Sequence, residues 1–87
     1  MSYLVRLRRA AQKELDSIPQ QDYSSIASVI SGLEKNPRPL KVKKLADSGL
    51  WRVRVRDYRV VYAINDADKT VTIVRVARRK EDTYRRI

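Results

Sequence analysis

Four arginines fall within residues 52–59, and their spacing is what could do chemistry. Arg52, Arg54 and Arg56 alternate with Trp51, Val53 and Val55 at the two-residue period of a strand, with Arg59 following in the next segment. One sheet face would carry the apolar set and the other a ladder of guanidiniums. A guanidinium offers parallel N–H donors that match two phosphate oxygens, and it stays charged under all working conditions. Such groups suit binding a phosphate and stabilising the negative charge that builds on phosphorus during displacement. Three arginines on one strand face repel one another unless an anion lies against them. A polyanion is therefore the expected partner, and RNA the first candidate, because its own 2′-hydroxyl supplies a nucleophile once the chain is held in line.

Composition agrees with that expectation. The chain has 87 residues, with 20 Lys and Arg against 10 Asp and Glu, a formal net charge of +10. A positive field of this size attracts phosphate backbones, acidic protein segments or anionic membranes without choosing among them. The excess is concentrated. Arg38, Lys41, Lys43, Lys44, Arg52, Arg54, Arg56 and Arg59 are opposed between residues 38 and 59 only by Asp47 and Asp57. The alternative is a solvated surface that serves solubility, where acids would be interspersed with the bases.

What the chain lacks narrows the chemistry further. With no histidine, the commonest metal ligand and the commonest general base near neutral pH are missing. With no cysteine, neither a disulfide nor a thiolate metal site can staple the fold, which fits a reducing compartment. No cofactor or metal is expected. No apolar run reaches the ~20 residues of a membrane span, and the first residues do not resemble a signal peptide, so a cytoplasmic protein without membrane attachment is expected. Residues 1–87 are read as one domain.

The elements that must position the arginines are legible from periodicity. Residues 3–7 read as a short strand. Leu7, Ala11, Leu15 and Ile18 recur at helical spacing, predicting a helix over 8–17 that Pro19 ends. Asp22 can cap a second helix to about 35, with Tyr23, Ile26, Ile30 and Leu33 on one stripe and Asn36-Pro37 as the stop. Residues 37–49 read as a surface connector. Strands are predicted over 50–56, 58–64 and 70–77, and a helical turn over 78–87. The fold class is α+β: an N-terminal strand and a helical hairpin packed on one face of a small, mostly antiparallel four-stranded sheet, in the order β-α-α-β-β-β.

Register decides which side chains share a face. A two- or four-residue loop at Asp57 pairs residues whose numbers sum to an odd value. Trp51, Val53 and Val55 then join Val60, Tyr62 and Ile64 in the core, and Arg59 joins Arg52, Arg54 and Arg56 outside. An even sum in the last hairpin would bring Val74 and Val76 into the core and send Arg75, Ala77 and Arg79 to the open face. Arg75 has the alternative of pairing with Asp57 across strands.

The helical hairpin, Lys44-Leu45, Trp51-Arg52-Val53-Arg54-Val55, Tyr58-Arg59-Val60-Val61-Tyr62 and Ala77-Arg78-Arg79-Lys80 to Tyr84 resemble the RelE/ParE superfamily of bacterial and archaeal toxins. The resemblance implies an mRNA interferase of the RelE branch that enters the ribosomal A site and cuts the codon there. It implies a RelB-like antitoxin that wraps the toxin and covers the basic face, with operator DNA bound only through the antitoxin complex. By the same resemblance the catalytic set falls on Arg52, Arg54, Arg59, Arg79 and Tyr84. The resemblance gives Arg59 the transition-state position; side-chain chemistry adds the expectation that Arg79 stabilises the leaving 5′-oxygen and that Tyr84 accepts or orients the 2′-hydroxyl proton. Lys41, Lys43, Lys44, Arg56, Arg75, Arg78 and Lys80 are assigned to RNA and ribosome binding. Well-known members carry lysines where Arg52 and Arg54 stand, and many carry glycine at Arg56.

Other readings stand beside these. Tyr84 could pack its ring on the sheet edge, and Trp51, Tyr58 and Tyr62 are expected in the core. At the level of function, a gyrase-inhibiting toxin of the ParE branch or a non-catalytic nucleic-acid-binding module would share the fold.

Overall fold

The computed structural model describes residues 2–78. The expected C-terminal helical turn, and with it Arg79, Lys80 and Tyr84, lies outside the described residues.

The chain runs β1 (Leu4–Leu7), α1 (Arg9–Asp16), α2 (Gln20–Gly32), β2 (Lys43–Leu45), β3 (Leu50–Val55), β4 (Tyr58–Asn65) and β5 (Thr70–Arg78). The strands form one sheet in the order β1-β5-β4-β3-β2. β1 lies parallel to β5 and every other pair is antiparallel. The α+β architecture and the helical hairpin match the sequence reading. The strand count does not, since Lys43–Leu45 leaves the connector to pair with Leu50–Arg52 and adds a fifth strand at the edge. Three residues beside two prolines carry too little periodicity to announce a strand.

Helix α1 buries Ala11 and Leu15, with Ile18 just beyond it, as the spacing requires. Pro19 also starts the next helix. It stands at the N-cap of α2 with φ −55° and ψ 144°, and its carbonyl accepts from the N–H groups of Asp22 and Tyr23. Asp22 thus lies in the first turn rather than at the cap, where its charge still complements the helix dipole. The helix ends three residues before the predicted stop. There Leu33 and Glu34 bond three residues back, to Ile30 and Ser31, which tightens the last turn.

Ala11, Leu15, Ile18, Ile26, Ile30 and Leu33 from the helical side meet Val53, Val55, Tyr58, Val60, Tyr62, Val71, Ile73 and Val76 from the sheet. The pairing of Val55 with Tyr58 leaves Arg56 and Asp57 as a two-residue turn, and Val53 lies opposite Val60. This is the odd register. Between β4 and β5 the register is even only near the arginine end, with Val60 opposite Val76 and Val61 opposite Arg75. It then shifts between Val61 and Tyr62, where Tyr62 pairs with Ile73 and Val74 is left over. Val74 is a bulge residue, half-buried, and Val71 and Ile73 fill the core in place of the expected Val74.

No helix among the described residues is long and apolar enough to cross a membrane.

Candidate nucleic-acid interface

The outward parity of β2, β3 and β4 builds the basic face. Lys43 lies directly opposite Arg52, and Arg54 directly opposite Arg59. Neighbouring strands lie ~4.8 Å apart and alternate residues along one strand ~6.7 Å, so these four cations occupy a patch narrower than two nucleotides of extended chain. Lys41 reaches it from the connector. Together with Lys43, Arg52 and Arg54 it lines an open hollow of about 250 Å³. Arg54, Lys41 and Lys43 are exposed, whereas Arg52 and Arg59 are half-buried. The Nε of Arg59 is closed off from solvent altogether. That burial fixes the stem of Arg59 more firmly than those of its neighbours. Val61 and Ala63, small outward-facing residues of the same strand, leave room beside it.

The other cations predicted for this face go elsewhere. Arg75 is drawn to α1, where its Nε donates to both carboxylate oxygens of Glu14 and a terminal nitrogen lies 2.7 Å from Oε2. The backbone N–H of Val76 donates to the same carboxylate at 2.8 Å. Burial opposes the charge on Glu14, yet these donors prevail and hold its carboxyl below the ordinary value. The alternative partner, Asp57, is not used. Arg56 folds back over α2, bonding Ser25 Oγ at 3.2 Å and approaching Asp22 at 3.7 Å. Its backbone has φ +54°, the left-handed region that glycine fills more readily. Arg78 lies 5.9 Å from the ring centre of Tyr58, and Lys44 lies 5.7 Å from that of Trp51. Both rings belong to the core side of the sheet, so neither cation shares the arginine ladder.

Trp51 is half-buried and packs on the core, while Tyr58 and Tyr62 are fully buried as expected. The Tyr62 hydroxyl donates to the Pro37 carbonyl at 2.7 Å, and burial pushes its pKa up to about 12. It is unsuited to accept a proton. Among the described residues no group of three His, Cys, Asp or Glu side chains could hold a metal ion.

The cluster of Arg38, Asp66 and Tyr3 at the far end of β4 escaped the sequence reading. Arg38 makes a two-pronged contact with Asp66, at 3.3 and 2.9 Å, and Tyr3 donates to Asp66 at 2.7 Å. The Arg38 guanidinium holds the Asp66 carboxyl far below its ordinary value, at about 2. These partners lie 28 and 63 positions apart in the chain, a separation at which no local spacing gives a signal.

Residues 5–83 match the family described as the ParE toxin of the type II toxin-antitoxin system parDE. Toxin RelE of Mycobacterium tuberculosis is 35% identical over 79 residues, covering 88% of this chain and 81% of that protein. Toxin RelG of the same organism is 33% identical and covers 99% of this chain and 100% of its own. The toxin in the archaeal RelE–RelB complex from Pyrococcus horikoshii superposes with a TM-score of 0.82 at 33% identity, over 93% of this chain and 99% of that one. The isolated RelE toxin of Escherichia coli, at 18% identity and a TM-score of 0.81, shares the fold. Fold, strand order and relatives agree, and the chain belongs to the ParE toxin family of type II toxin-antitoxin systems, in the RelE-like branch of the RelE/ParE superfamily.

Proposed function

We propose that this toxin is an endoribonuclease that cuts messenger RNA in the ribosomal A site without a metal ion. The observation that carries the reading is the convergence of Lys43, Arg52, Arg54 and Arg59 from three strands, with Lys41 closing the hollow. Like charges directly opposite each other destabilise a sheet. An anion threaded between them turns that cost into binding.

The reaction would proceed by attack of the 2′-oxygen on the adjacent phosphorus. A 2′-O–P bond forms, the P–O5′ bond breaks, the 2′-hydroxyl proton leaves and O5′ gains a proton, giving a 2′,3′-cyclic phosphate and a 5′-hydroxyl. Arg59 is the side chain proposed to stabilise the phosphorane-like charge, since its partly buried stem holds its donors in place before substrate arrives. Arg52 and Arg54 would grip the flanking phosphates. Their guanidiniums bind well and accept protons poorly, because arginine deprotonates only above pH ~12. Proton transfer from the 2′-hydroxyl is assigned to Tyr84 and stabilisation of the leaving oxygen to Arg79.

A RelB-like antitoxin is the proposed protein partner, supported by relatives whose structures are RelE–RelB complexes. An acidic, amphipathic segment could neutralise the ladder and fold as it binds.

The test is a message carrying a single 2′-deoxynucleotide at the scissile position, programmed on ribosomes. Cleavage of the ribose message and none of the deoxy message is the expected result. Growth arrest with neither message cut, accompanied by inhibition of gyrase, would instead favour the ParE-type activity. Binding without cleavage of either would leave a nucleic-acid-binding module.

A further inference from the structure

We propose that Asp66 and Arg38 form a latch that sets the connector against the sheet and so positions Lys41 to complete the basic hollow. The proposal rests on the ribonucleotide-binding reading of that hollow. The connector is pinned at its start, where the buried Tyr62 hydroxyl donates to the Pro37 carbonyl. One residue later Arg38 crosses to the β4–β5 turn and grips Asp66 with two nitrogens. Tyr3 holds the Asp66 Oδ1 from the other side, and the Arg38 guanidinium rests 5.1 Å from the ring centre of Trp51. The next turn is closed by Val42 N–H donating to the Pro39 carbonyl at 3.1 Å. Lys41 sits inside that turn, facing Lys43, Arg52 and Arg54. Its side chain has no ion-pair partner among the described residues, so only the path of the backbone decides where its charge falls.

Asp66 cannot act by touching the nucleotide at Arg59. It lies seven residues farther along the chain from Arg59, roughly 24 Å at strand rise. Its influence must travel through Arg38 and the connector. This gives the proposal a sign opposite to that of bulk electrostatics. Asp66→Asn removes one negative charge, raising the formal net charge from +10 to +11. A field acting at long range would then bind polyanions more tightly. A released latch binds them more weakly.

The experiment uses the full chain and a uniform single-stranded oligoribonucleotide as probe, with Asp66→Asn, Arg38→Lys, Lys41→Ala and the Asp66→Asn/Lys41→Ala pair. Arg38→Lys keeps the charge and loses the fork. Expected are an affinity loss of about fivefold in Asp66→Asn and in Arg38→Lys, and faster amide exchange at Val42 in both. Lys41→Ala should weaken the otherwise unaltered chain yet add little once the latch is open, a coupling read directly from the cycle. Equal or tighter binding by Asp66→Asn, or full additivity with Lys41→Ala, overturns the latch. If coupling is found while the unaltered chain cuts no ribosome-bound message, the latch stands and the nuclease reading falls.

Discussion

The two sides of this sheet treat the same residue type in opposite ways. On the open side Arg52, Arg54 and Arg59 stand together with Lys43, cation opposite cation. Towards the helices and the sheet ends, Arg75 is clamped by Glu14, Arg56 leans on Asp22 and Ser25, and Arg38 is gripped by Asp66. An arginine with an acid supplied by another element holds the fold together. On the open face the side chains directly opposite one another across the strands are cations, an arrangement that an anionic ligand favours. The lesson is that charge count says little about function in this chain, and the placement of Glu14, Asp22 and Asp66 says more.

The sharpest way to break this contrast is to remove one member of each side. Arg59→Ala is expected to lower cleavage of ribosome-bound message about 10²–10³-fold, the scale of losing one preorganised donor to a developing oxyanion. Ribosome association measured by sedimentation should fall far less, and equal losses would reduce Arg59 to a binding residue. Next in size, the Arg52→Ala/Arg54→Ala pair should flatten the dependence of RNA affinity on salt by about one unit of log–log slope per arginine. Arg75→Ala should leave that slope unchanged.

The helix side answers to stability. Glu14→Ala strands the Val76 N–H and the Arg75 guanidinium, and urea unfolding should register a loss of ~1–2 kcal/mol with RNA affinity intact. Acid probes the same partnerships. Glu14 and Asp66 are both held below their ordinary values, so the stability they contribute is present above the unfolded carboxylate range and is lost as pH falls through the folded values, to about 2 for Asp66. Melting temperature should decline over that acidic window, and Glu14→Gln should flatten part of the decline. The smallest effect is assigned to Arg56→Gly. It relieves a left-handed backbone at φ +54° and gives up weak, exposed contacts, so stability should move by less than ~1 kcal/mol and cleavage should not change.

Periodicity delivered both helices, the odd β3–β4 register and therefore the partnership of Arg52, Arg54 and Arg59. These depend on neighbours in sequence. What it missed depends on groups that meet only after folding. The even register held from Tyr58 to Val61 and failed beyond it, because a single surplus residue at Val74 exchanges inside for outside along the rest of β5. The partners of Arg75 and Arg38 sit 61 and 28 positions away, so nothing near either arginine marks it as neutralised. The strand at Lys43–Leu45 exists because β3 offers it a free edge, which is a property of the sheet and not of those three residues.

The carboxylate of Glu14 has one more effect. β1 pairs with β5 only as far as Ile73, so the main-chain donor of Val76 would otherwise point outward from a bare rim. A side-chain oxygen already occupies it. Any foreign strand trying to zip on there would have to evict a charged group first, which makes this stretch of the border a poor seed for polymerisation when many copies crowd together.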